Sequence, residues 1–259
     1  YTYRSNFKLR QIMKYFIGNW KMFGVPKSIN IVNKINSFIS KDKNKYKYKV
    51  IITPPYTLIE NFAKYFKNRN IIIGSQNCYK KDFFSSDTAA VSPYMLKMVG
   101  AQYTLVGHSD NRKEGDTDSI LKDKLLFALK NNLKVVYCIG ENKIQKQKKQ
   151  TYKTLKKQLL IALNKKLNKK NIIIAYEPIW SIGTGKVPTQ KELSKTIIFI
   201  KSTLTKIFGK NSPAVLYGGS VDGNTVKIFK QVKEIDGFLI GGASKSSKKF
   251  IDIIKNYYR

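Results

Sequence analysis

The sequence predicts one domain of the α/β class, a closed (β/α)8 barrel of eight parallel strands. Two observations lead to this prediction. Eight short and continuous apolar runs recur along the 259 residues, as expected of strands that are buried on both faces. Amphipathic stretches with apolar residues three and four positions apart separate these runs. Because the alternation is unbroken and no long linker interrupts it, a barrel is favoured over an open doubly wound sheet.

The predicted elements follow in chain order. The strands are Tyr15 to Gly18, Tyr48 to Thr53, Ile71 to Gly74, Tyr103 to Gly107, Lys134 to Ile139, Ile172 to Glu177, Ala214 to Tyr217 and Gly237 to Ile240. Helical spacing predicts a helix through Ile29, Val32, Ile35, Phe38 and Ile39, and another through Leu155, Leu159, Ile161, Leu163 and Leu167. We expect the barrel to occupy residues 15–259, after a basic N-terminal extension at residues 1–14.

The composition argues against several other classes of protein. Apolar residues make up 42% of the chain, with 16 tyrosines and 14 phenylalanines, so disorder over the whole chain is not expected. Cys78 and Cys138 lie far apart and lack the close pairing of a zinc or redox motif, and His108 is the only histidine. No apolar run reaches the roughly 18 residues that cross a bilayer. We therefore expect neither a metal centre nor a membrane protein.

The chain is strongly basic, with 49 lysines and arginines against 16 acids and a formal charge of +33. Its lysines run through the whole sequence, as in Lys41 to Lys49 (KDKNKYKYK) and Lys143 to Gln150 (KIQKQKKQ). A genome rich in A and T explains them at least as well as a binding surface does. The aromatic residues fall on core-like positions and do not form a stacking module. We interpret the lysines as solvated faces, with a nucleic-acid surface as the alternative.

The N-terminal segment has the composition of a targeting sequence. No acidic residue occurs before Asp42, and basic residues stand at positions 4, 8, 10 and 14. This pattern is typical of the end of an organelle transit peptide. Since position 1 is not a methionine, we expect an organelle location such as a plastid or apicoplast. A plain extension and a cytoplasmic location are the alternatives.

Polar residues follow directly after several predicted strands, at the end of the barrel where active sites lie. Asn19 and Lys21 follow the first strand, His108 follows the fourth, and Glu177 ends the sixth. N–H groups of a helical turn after His108 would disfavour its protonated form. A carboxylate at an apolar rim tends towards a raised pKa, which suits a general base. Each residue taken alone could instead be structural or an ion-pair partner.

Three glycine-rich segments follow the sixth, seventh and eighth strands. They are Gly183 to Gly185, Gly218 to Ser220, and Gly241 with Gly242. Backbone N–H groups and a serine hydroxyl on adjacent loops would bind an anion, and the loops after strands seven and eight form the usual phosphate site of such barrels. The set predicts a phosphate site, with ordinary tight turns as the alternative.

Five segments resemble the triosephosphate isomerase family in order and spacing. They are Asn19 to Lys21 (NWK), Gly107 to Ser109 (GHS), Tyr176 to Lys186 (YEPIWSIGTGK), Tyr217 to Ser220 (YGGS) and Gly237 to Ser244 (GFLIGGAS). The resemblance covers nearly the whole chain. It implies a homodimeric TIM-barrel enzyme that interconverts dihydroxyacetone phosphate and glyceraldehyde 3-phosphate through an enediolate, without cofactor or metal.

The resemblance also implies a role for each candidate residue. Glu177 would move a proton between two carbons, and His108 would polarise the carbonyl and shuttle protons between oxygens. Lys21, facing Asp110, and Asn19 would stabilise the oxyanion. Gly183, Ser220, Gly241 and Gly242 would bind the phosphate. The implied lid consists of Pro178, Ile179, Trp180, Ser181, Ile182, Gly183, Thr184, Gly185 and Lys186, in which Ile182 would help to exclude water.

The chain departs from the family pattern in two regions beside the site. Asp110 stands where glutamate is usual, which predicts a looser or water-bridged ion pair with Lys21. Asn111 replaces an arginine and Ala90 replaces a glutamate, and in the family these two pair across the dimer. The loop from Lys80 to Thr88 is also altered. We therefore expect a homodimer whose interface is weakened at residues 90 and 111.

A further departure concerns closure of the lid. Pro188 occupies the position whose backbone N–H, in relatives, would meet the hydroxyl of Tyr217 in the closed state. Proline has no such donor. The closed lid is expected to lose this hydrogen bond unless Tyr217 finds another partner.

Two other functions remain open from the sequence. One is a different phosphate-binding barrel enzyme, which would share the glycine loops without needing Asn19, Lys21, His108 and Glu177 together. The other is a basic scaffold that binds nucleic acid or another polyanion.

Overall fold

Eight parallel strands close into a barrel in a computed structural model that describes residues 13–259. Each strand pairs with its sequence neighbours, and β1 closes the barrel against β8. The strands are β1 (Lys14–Asn19), β2 (Tyr48–Thr53), β3 (Ile71–Ser75), β4 (Tyr103–Val106), β5 (Lys134–Ile139), β6 (Ile172–Tyr176), β7 (Ala214–Tyr217) and β8 (Gly237–Ile240). The predicted (β/α)8 fold is confirmed, and every strand boundary lies within one residue of its predicted position.

Helices follow the strands and surround the barrel. They are α1 (Ile29–Lys41), α2 (Tyr56–Tyr65), α3 (Pro93–Met98), α4 (Ser109–Lys113), α5 (Asp118–Lys130), α6 (Lys143–Gln147), α7 (Thr151–Ala162), α8 (Gln190–Phe208), α9 (Thr225–Phe229) and α10 (Ser247–Tyr258). The pattern predicted for α1 is confirmed, since Val32, Ile35 and Ile39 are buried. No helix within residues 13–259 is long and apolar enough to cross a membrane.

The predicted helix through Leu167 is too long, because α7 ends at Ala162. Leu163 is buried but has extended backbone angles. The side chain of Asn164 then accepts a hydrogen bond from the N–H of Lys166 at 3.0 Å. Such a side-chain bond offers the backbone an alternative to the helix, so apolar spacing alone overestimated the length of α7.

Alternate strand residues divide the core into two layers. Strand residues alone form an inner cluster that includes Ile17, Leu105, Val136, Ile173 and Leu216. Their neighbours in sequence belong to a larger cluster that packs the strands against the helices. Because successive side chains point to opposite faces of a strand, the inner cluster fills the barrel. Asn19 and Glu177 have the inward parity of Ile17 and Ile173, which places them at the carboxyl end of the barrel interior.

The predicted N-terminal extension falls almost wholly on residues 1–12, which lie outside the described residues. Lys14, predicted to be its last residue, is the first residue of β1. The extension therefore stays a prediction, with its boundary moved by one residue.

Candidate active site

A cavity of 920 Å³ lies at the carboxyl ends of the strands. Residues that follow β1, β4, β6, β7 and β8 line it, including Asn19, Lys21, His108, Glu177, Ile182, Gly183, Ser220, Gly241 and Gly242. The structure thus brings together every predicted catalytic and phosphate-binding residue except Asp110. Asp110 lines an adjoining cavity of 270 Å³, together with Asn19, Lys21 and His108.

Glu177 is held in a buried position at the end of β6, with its side chain 4% exposed. Two glycines leave room for it. A Cβ atom on Gly140 would lie 1.8 Å from the carbonyl oxygen of Glu177, and one on Gly218 would lie 2.8 Å from its Cγ. Burial raises the pKa of Glu177 above its ordinary value, although His108, Cys138 and Lys21 partly offset this. A raised pKa makes the carboxylate a stronger base.

His108 presents Nε2 to this carboxylate. Its Nδ1 accepts a hydrogen bond of 3.1 Å from the backbone N–H of Asp110, at the start of α4. An accepting nitrogen carries no proton, so the arrangement selects the neutral ring with its proton on Nε2. Nε2 lies 3.4 Å from Oε1 of Glu177. Of the backbone N–H groups predicted to face the ring, that of Asp110 does so, and an uncharged imidazole can donate from Nε2.

Lys21 takes up a left-handed backbone conformation, with φ of 54°. Its N–H donates to Oδ1 of Asn19 at 3.0 Å, and its carbonyl accepts from the amide of Gln76 at 2.8 Å. These two bonds hold a conformation that non-glycine residues rarely adopt. Sequence reasoning missed Gln76, although its position just after β3 at the same end of the barrel was a usable signal.

The ion pair of Lys21 with Asp110 is direct, with Nζ and Oδ2 at 2.9 Å. The expected looser or water-bridged pair is therefore wrong for this structure. Asp110 lies in the first turn of α4, and from there its Oδ2 reaches the ammonium of Lys21 despite the shorter side chain. Burial alone would raise the pKa of Asp110, but the hydrogen bond from Lys21 and the charge of its ammonium group lower it below the ordinary value. Asp110 thus remains an anion that fixes the ammonium group.

The segment Pro178 to Lys186, predicted as the lid, borders the cavity through Ile182, Gly183 and Gly185. Its first part, Ile179–Ser181, forms one 3₁₀ turn, and residues 183–186 are exposed. Nε1 of Trp180 donates to Glu141 at 2.8 Å, while the ammonium of Lys146 lies 3.3 Å from the centre of a Trp180 ring. These contacts fasten the start of the segment that is predicted to be the lid.

Glu141 is the buried acid on which this fastening depends. It is 1% exposed and also accepts from the hydroxyl of Tyr176 at 3.2 Å. Burial raises its pKa, partly offset by the hydrogen bonds from Trp180 and Tyr176. Sequence reasoning missed Glu141, although an acid directly after Ile139 and Gly140 at the end of β5 was a usable signal.

The triosephosphate isomerase family model matches residues 14–257. The chain belongs to the triosephosphate isomerase family. Similar proteins include triosephosphate isomerase of Caldanaerobacter subterraneus, 35% identical over 93% of this chain and 97% of the relative. Triosephosphate isomerase of Leptospira interrogans is 34% identical over 91% of this chain and 97% of the relative. A crystal structure of triosephosphate isomerase from Bartonella henselae matches with a TM-score of 0.86 and 30% identity, covering 95% of this chain and 99% of that chain.

Membership of the triosephosphate isomerase family confirms the resemblance and identifies the protein as an isomerase. The relatives above come from bacteria, and the predicted plastid location gains no support from them. Within residues 13–259 no group of three or more histidine, cysteine, aspartate or glutamate residues could hold a metal ion.

The hydroxyl of Tyr217 has a hydrogen-bond partner although the buried Pro188 has no backbone N–H to offer. This hydroxyl lies 3.1 Å from Oγ of Ser181, within the segment predicted to be the lid. The alternative partner that the sequence left open for Tyr217 is therefore Ser181.

Proposed function

We propose that this protein interconverts dihydroxyacetone phosphate and glyceraldehyde 3-phosphate through an enediolate. One observation carries the proposal: a buried carboxylate and the Nε2 of a neutral imidazole lie 3.4 Å apart in the cavity that Lys21 also lines. A base, an electrophile and a fixed cation are the groups needed to move a proton next to a carbonyl.

The proposed reaction starts with the carboxylate of Glu177. It removes a proton from C1 of dihydroxyacetone phosphate, and the C–H electrons form the C1–C2 double bond while the carbonyl electrons move to O2. His108 donates from Nε2 towards the oxygens and moves a proton between them. The ammonium of Lys21 and the amide of Asn19 stabilise the negative charge that develops on oxygen. Glu177 then returns its proton to C2, which yields glyceraldehyde 3-phosphate.

The phosphate is proposed to bind among the loops after β6, β7 and β8. Gly183, Ser220, Gly241 and Gly242 line one side of the cavity and offer backbone N–H groups. A Cβ atom on Gly241 or Gly242 would meet nothing within 4 Å, so these glycines leave open space for the ligand. The net charge of +33 assists capture of the anionic substrate.

A coupled isomerase assay tests the proposed function. The protein should convert either triose phosphate, and Glu177→Asp and His108→Gln should both lose most of the turnover. An active protein whose two variants keep full turnover would refute the assigned residues. Negligible turnover together with oligonucleotide binding that falls steeply with salt would favour the polyanion scaffold instead.

Asp110 is proposed to act through Lys21 as a positioning residue. Asp110→Asn removes the carboxylate at 2.9 Å from the ammonium and leaves a neutral amide. Since the pair is partly exposed, we expect little change in stability. A misplaced cation should lower kcat by about threefold to tenfold, more than it raises KM. Steady-state kinetics on Asp110→Asn measure this effect.

The matched control for this charge removal is Glu60→Gln. Glu60 forms an exposed ion pair with Lys64 on α2, with 2.6 Å between the charged atoms. This control should keep the kinetics of the parent protein. Unchanged turnover in Asp110→Asn would remove Asp110 from the site.

The protein is proposed to form a homodimer through the loop from Lys80 to Thr88 and its surroundings. Phe83 and Phe84 are 48% and 68% exposed and pack on each other and on Tyr94. Such a cluster of exposed rings is typical of an interface. Ala90 and Asn111 remove one charged pair from it, which predicts weaker association.

Sedimentation at low micromolar concentration tests the dimer. We expect monomer and dimer in exchange, with a fraction of dimer that increases with protein concentration. A tight dimer throughout would contradict the weakening at Ala90 and Asn111, and a monomer throughout would contradict the dimer.

For the location, the bacterial relatives agree better with the cytoplasmic alternative than with a plastid.

A further inference from the structure

The hydroxyl of Ser181 lies at the centre of a buried hydrogen-bond network at the base of the lid. Ser181 is fully buried. Its Oγ donates to the carbonyl oxygen of Lys186 at 2.6 Å and lies 3.1 Å from the hydroxyl of Tyr217. It also accepts from the N–H of Ser220 at 3.3 Å, while Oγ of Ser220 donates to the carbonyl of Ser181 at 2.6 Å.

These contacts use the full bonding capacity of the Ser181 hydroxyl. A hydroxyl has one donor and two acceptor positions. Since the donor serves Lys186, the bond with Tyr217 must be donated by the tyrosine. Gly219 permits this close approach, because a Cβ atom there would lie 2.2 Å from the hydroxyl of Tyr217 and 2.7 Å from Oγ of Ser181. The hydroxyl therefore joins both ends of the lid to the segment that follows β7.

The hydrogen-bond donors of Ser220 have a second possible acceptor, a bound phosphate. Ser220 lines the cavity and belongs to the proposed phosphate site. In this structure its N–H and its hydroxyl both point to Ser181. A backbone N–H has one hydrogen and cannot serve Ser181 and a phosphate oxygen equally well. Phosphate bound through Ser220 must therefore weaken the bond between the loop after β7 and the lid.

We propose that Ser181 is a latch that occupies the donors of Ser220 while no ligand is bound, and that the substrate's phosphate releases it. This inference rests on the proposed phosphate site. When a phosphate takes the N–H of Ser220, Ser181 loses one of its two accepted bonds.

The latch predicts that one substitution strengthens phosphate binding. A ligand that binds only the unlatched lid must first break the latch, and its apparent affinity falls by the fraction of molecules that are latched. Ser181→Ala removes the bonds of the latch to the N–H of Ser220 and to Tyr217, and leaves the bond from Oγ of Ser220 to the backbone carbonyl of residue 181. The Kd for inorganic phosphate, measured by titration calorimetry, should therefore fall by about threefold to tenfold. If Ser181 only supported the shape of the site, the same substitution would weaken phosphate binding.

Thr184→Val is the matched control within the lid. The hydroxyl of Thr184 bonds the carbonyls of Trp180 and Ser181 at 3.2 Å and does not contact Ser220 or Tyr217. Its loss should not tighten phosphate binding. Equal tightening by Thr184→Val and Ser181→Ala would show general loosening of the lid and overturn the latch.

Tyr217→Phe is a second variant that removes one bond from the same hydroxyl. It should tighten phosphate binding in the same direction, and it decides the question if Ser181→Ala shows no cooperative thermal unfolding. Phosphate binding by folded Ser181→Ala that is equal to or weaker than in the parent protein would overturn the latch. Absence of turnover and of phosphate binding in the parent protein would instead mean that the proposed function has failed.

Discussion

Replacing Glu177 with aspartate should lower kcat by about 10²-fold or more while KM changes little. The carboxylate withdraws by one methylene, about 1.5 Å, from the position that now lies 3.4 Å from Nε2 of His108. A positioned general base contributes about 10² to 10⁴ in rate, and misplacement by about 1 Å can cost 10². The coupled isomerase assay at saturating substrate measures the loss.

Glu60→Asp is the matched control for this shortening. Glu60 lies on the exposed surface of α2, so the same chemical change there should leave kcat unaltered. Turnover of Glu177→Asp within twofold of the parent protein would show that another group removes the proton. Circular dichroism of both variants separates loss of the base from loss of the fold.

The pH dependence of the parent protein should report the burial of Glu177. Since burial raises the pKa of this group, its proton is lost at a higher pH than from an exposed glutamate. The base is active only when it is deprotonated, so kcat/KM should fall as the pH falls through this raised pKa. If kcat/KM fell only at the pKa of an exposed carboxyl, the predicted effect of burial would be contradicted.

The raised pKa of Glu177 also makes the free energy of unfolding depend on pH. This pKa is higher in the folded than in the unfolded chain, so the folded state holds the proton to a higher pH. The contribution of Glu177 to the free energy of unfolding is therefore present at low pH and is lost as the pH rises through the folded pKa. The charged base thus costs stability in the pH range where it is active.

Replacing His108 with glutamine should lower kcat by about 10²-fold. The amide nitrogen of glutamine can occupy the place of Nε2 and still polarise a carbonyl. It cannot exchange protons between the two oxygens at a useful rate, because an amide is a much weaker acid and base than imidazole. The expected loss therefore falls on kcat and not on phosphate affinity.

His108→Asn separates these two roles. Its amide oxygen takes the place of Nδ1 and accepts from the N–H of Asp110, so no donor reaches the position of Nε2 and the donor towards the substrate is lost as well. Its kcat should fall below that of His108→Gln. Equal turnover of both variants would show that polarisation from Nε2 contributes nothing, and full turnover of either would exclude His108 from the chemistry.

The strands could be located from sequence because burial on both faces leaves a continuous apolar signal. Ile172 to Ala175 and Lys134 to Ile139 show it, and their boundaries moved by at most one residue. The end of α7 could not be located in this way. Leu163 and Leu167 continue the helical spacing, but the side-chain bond of Asn164 to the backbone ends the helix earlier.

The sequence by itself determined that Asn19, His108 and Glu177 meet at one site. Parallel strands in a barrel share one carboxyl end, so Asn19, His108 and Glu177 converge once the strands and their order are known. The glycine segments after β6, β7 and β8 follow from the same reasoning. Strand periodicity is a local property of the chain, and local properties can be read directly.

Only the tertiary structure decided how these residues are oriented and bound. The structure shows the direct pair of Lys21 with Asp110 and the hydrogen bond that Nδ1 of His108 accepts. It also shows the bond of Trp180 to the buried Glu141 and that of Ser220 to Ser181, and most of these contacts join residues that are distant in sequence. The direction of each bond depends on backbone angles and rotamers that are set when the barrel closes. Such contacts leave no periodic trace in the sequence, because a hydrogen bond needs one well-placed partner and not a repeating pattern.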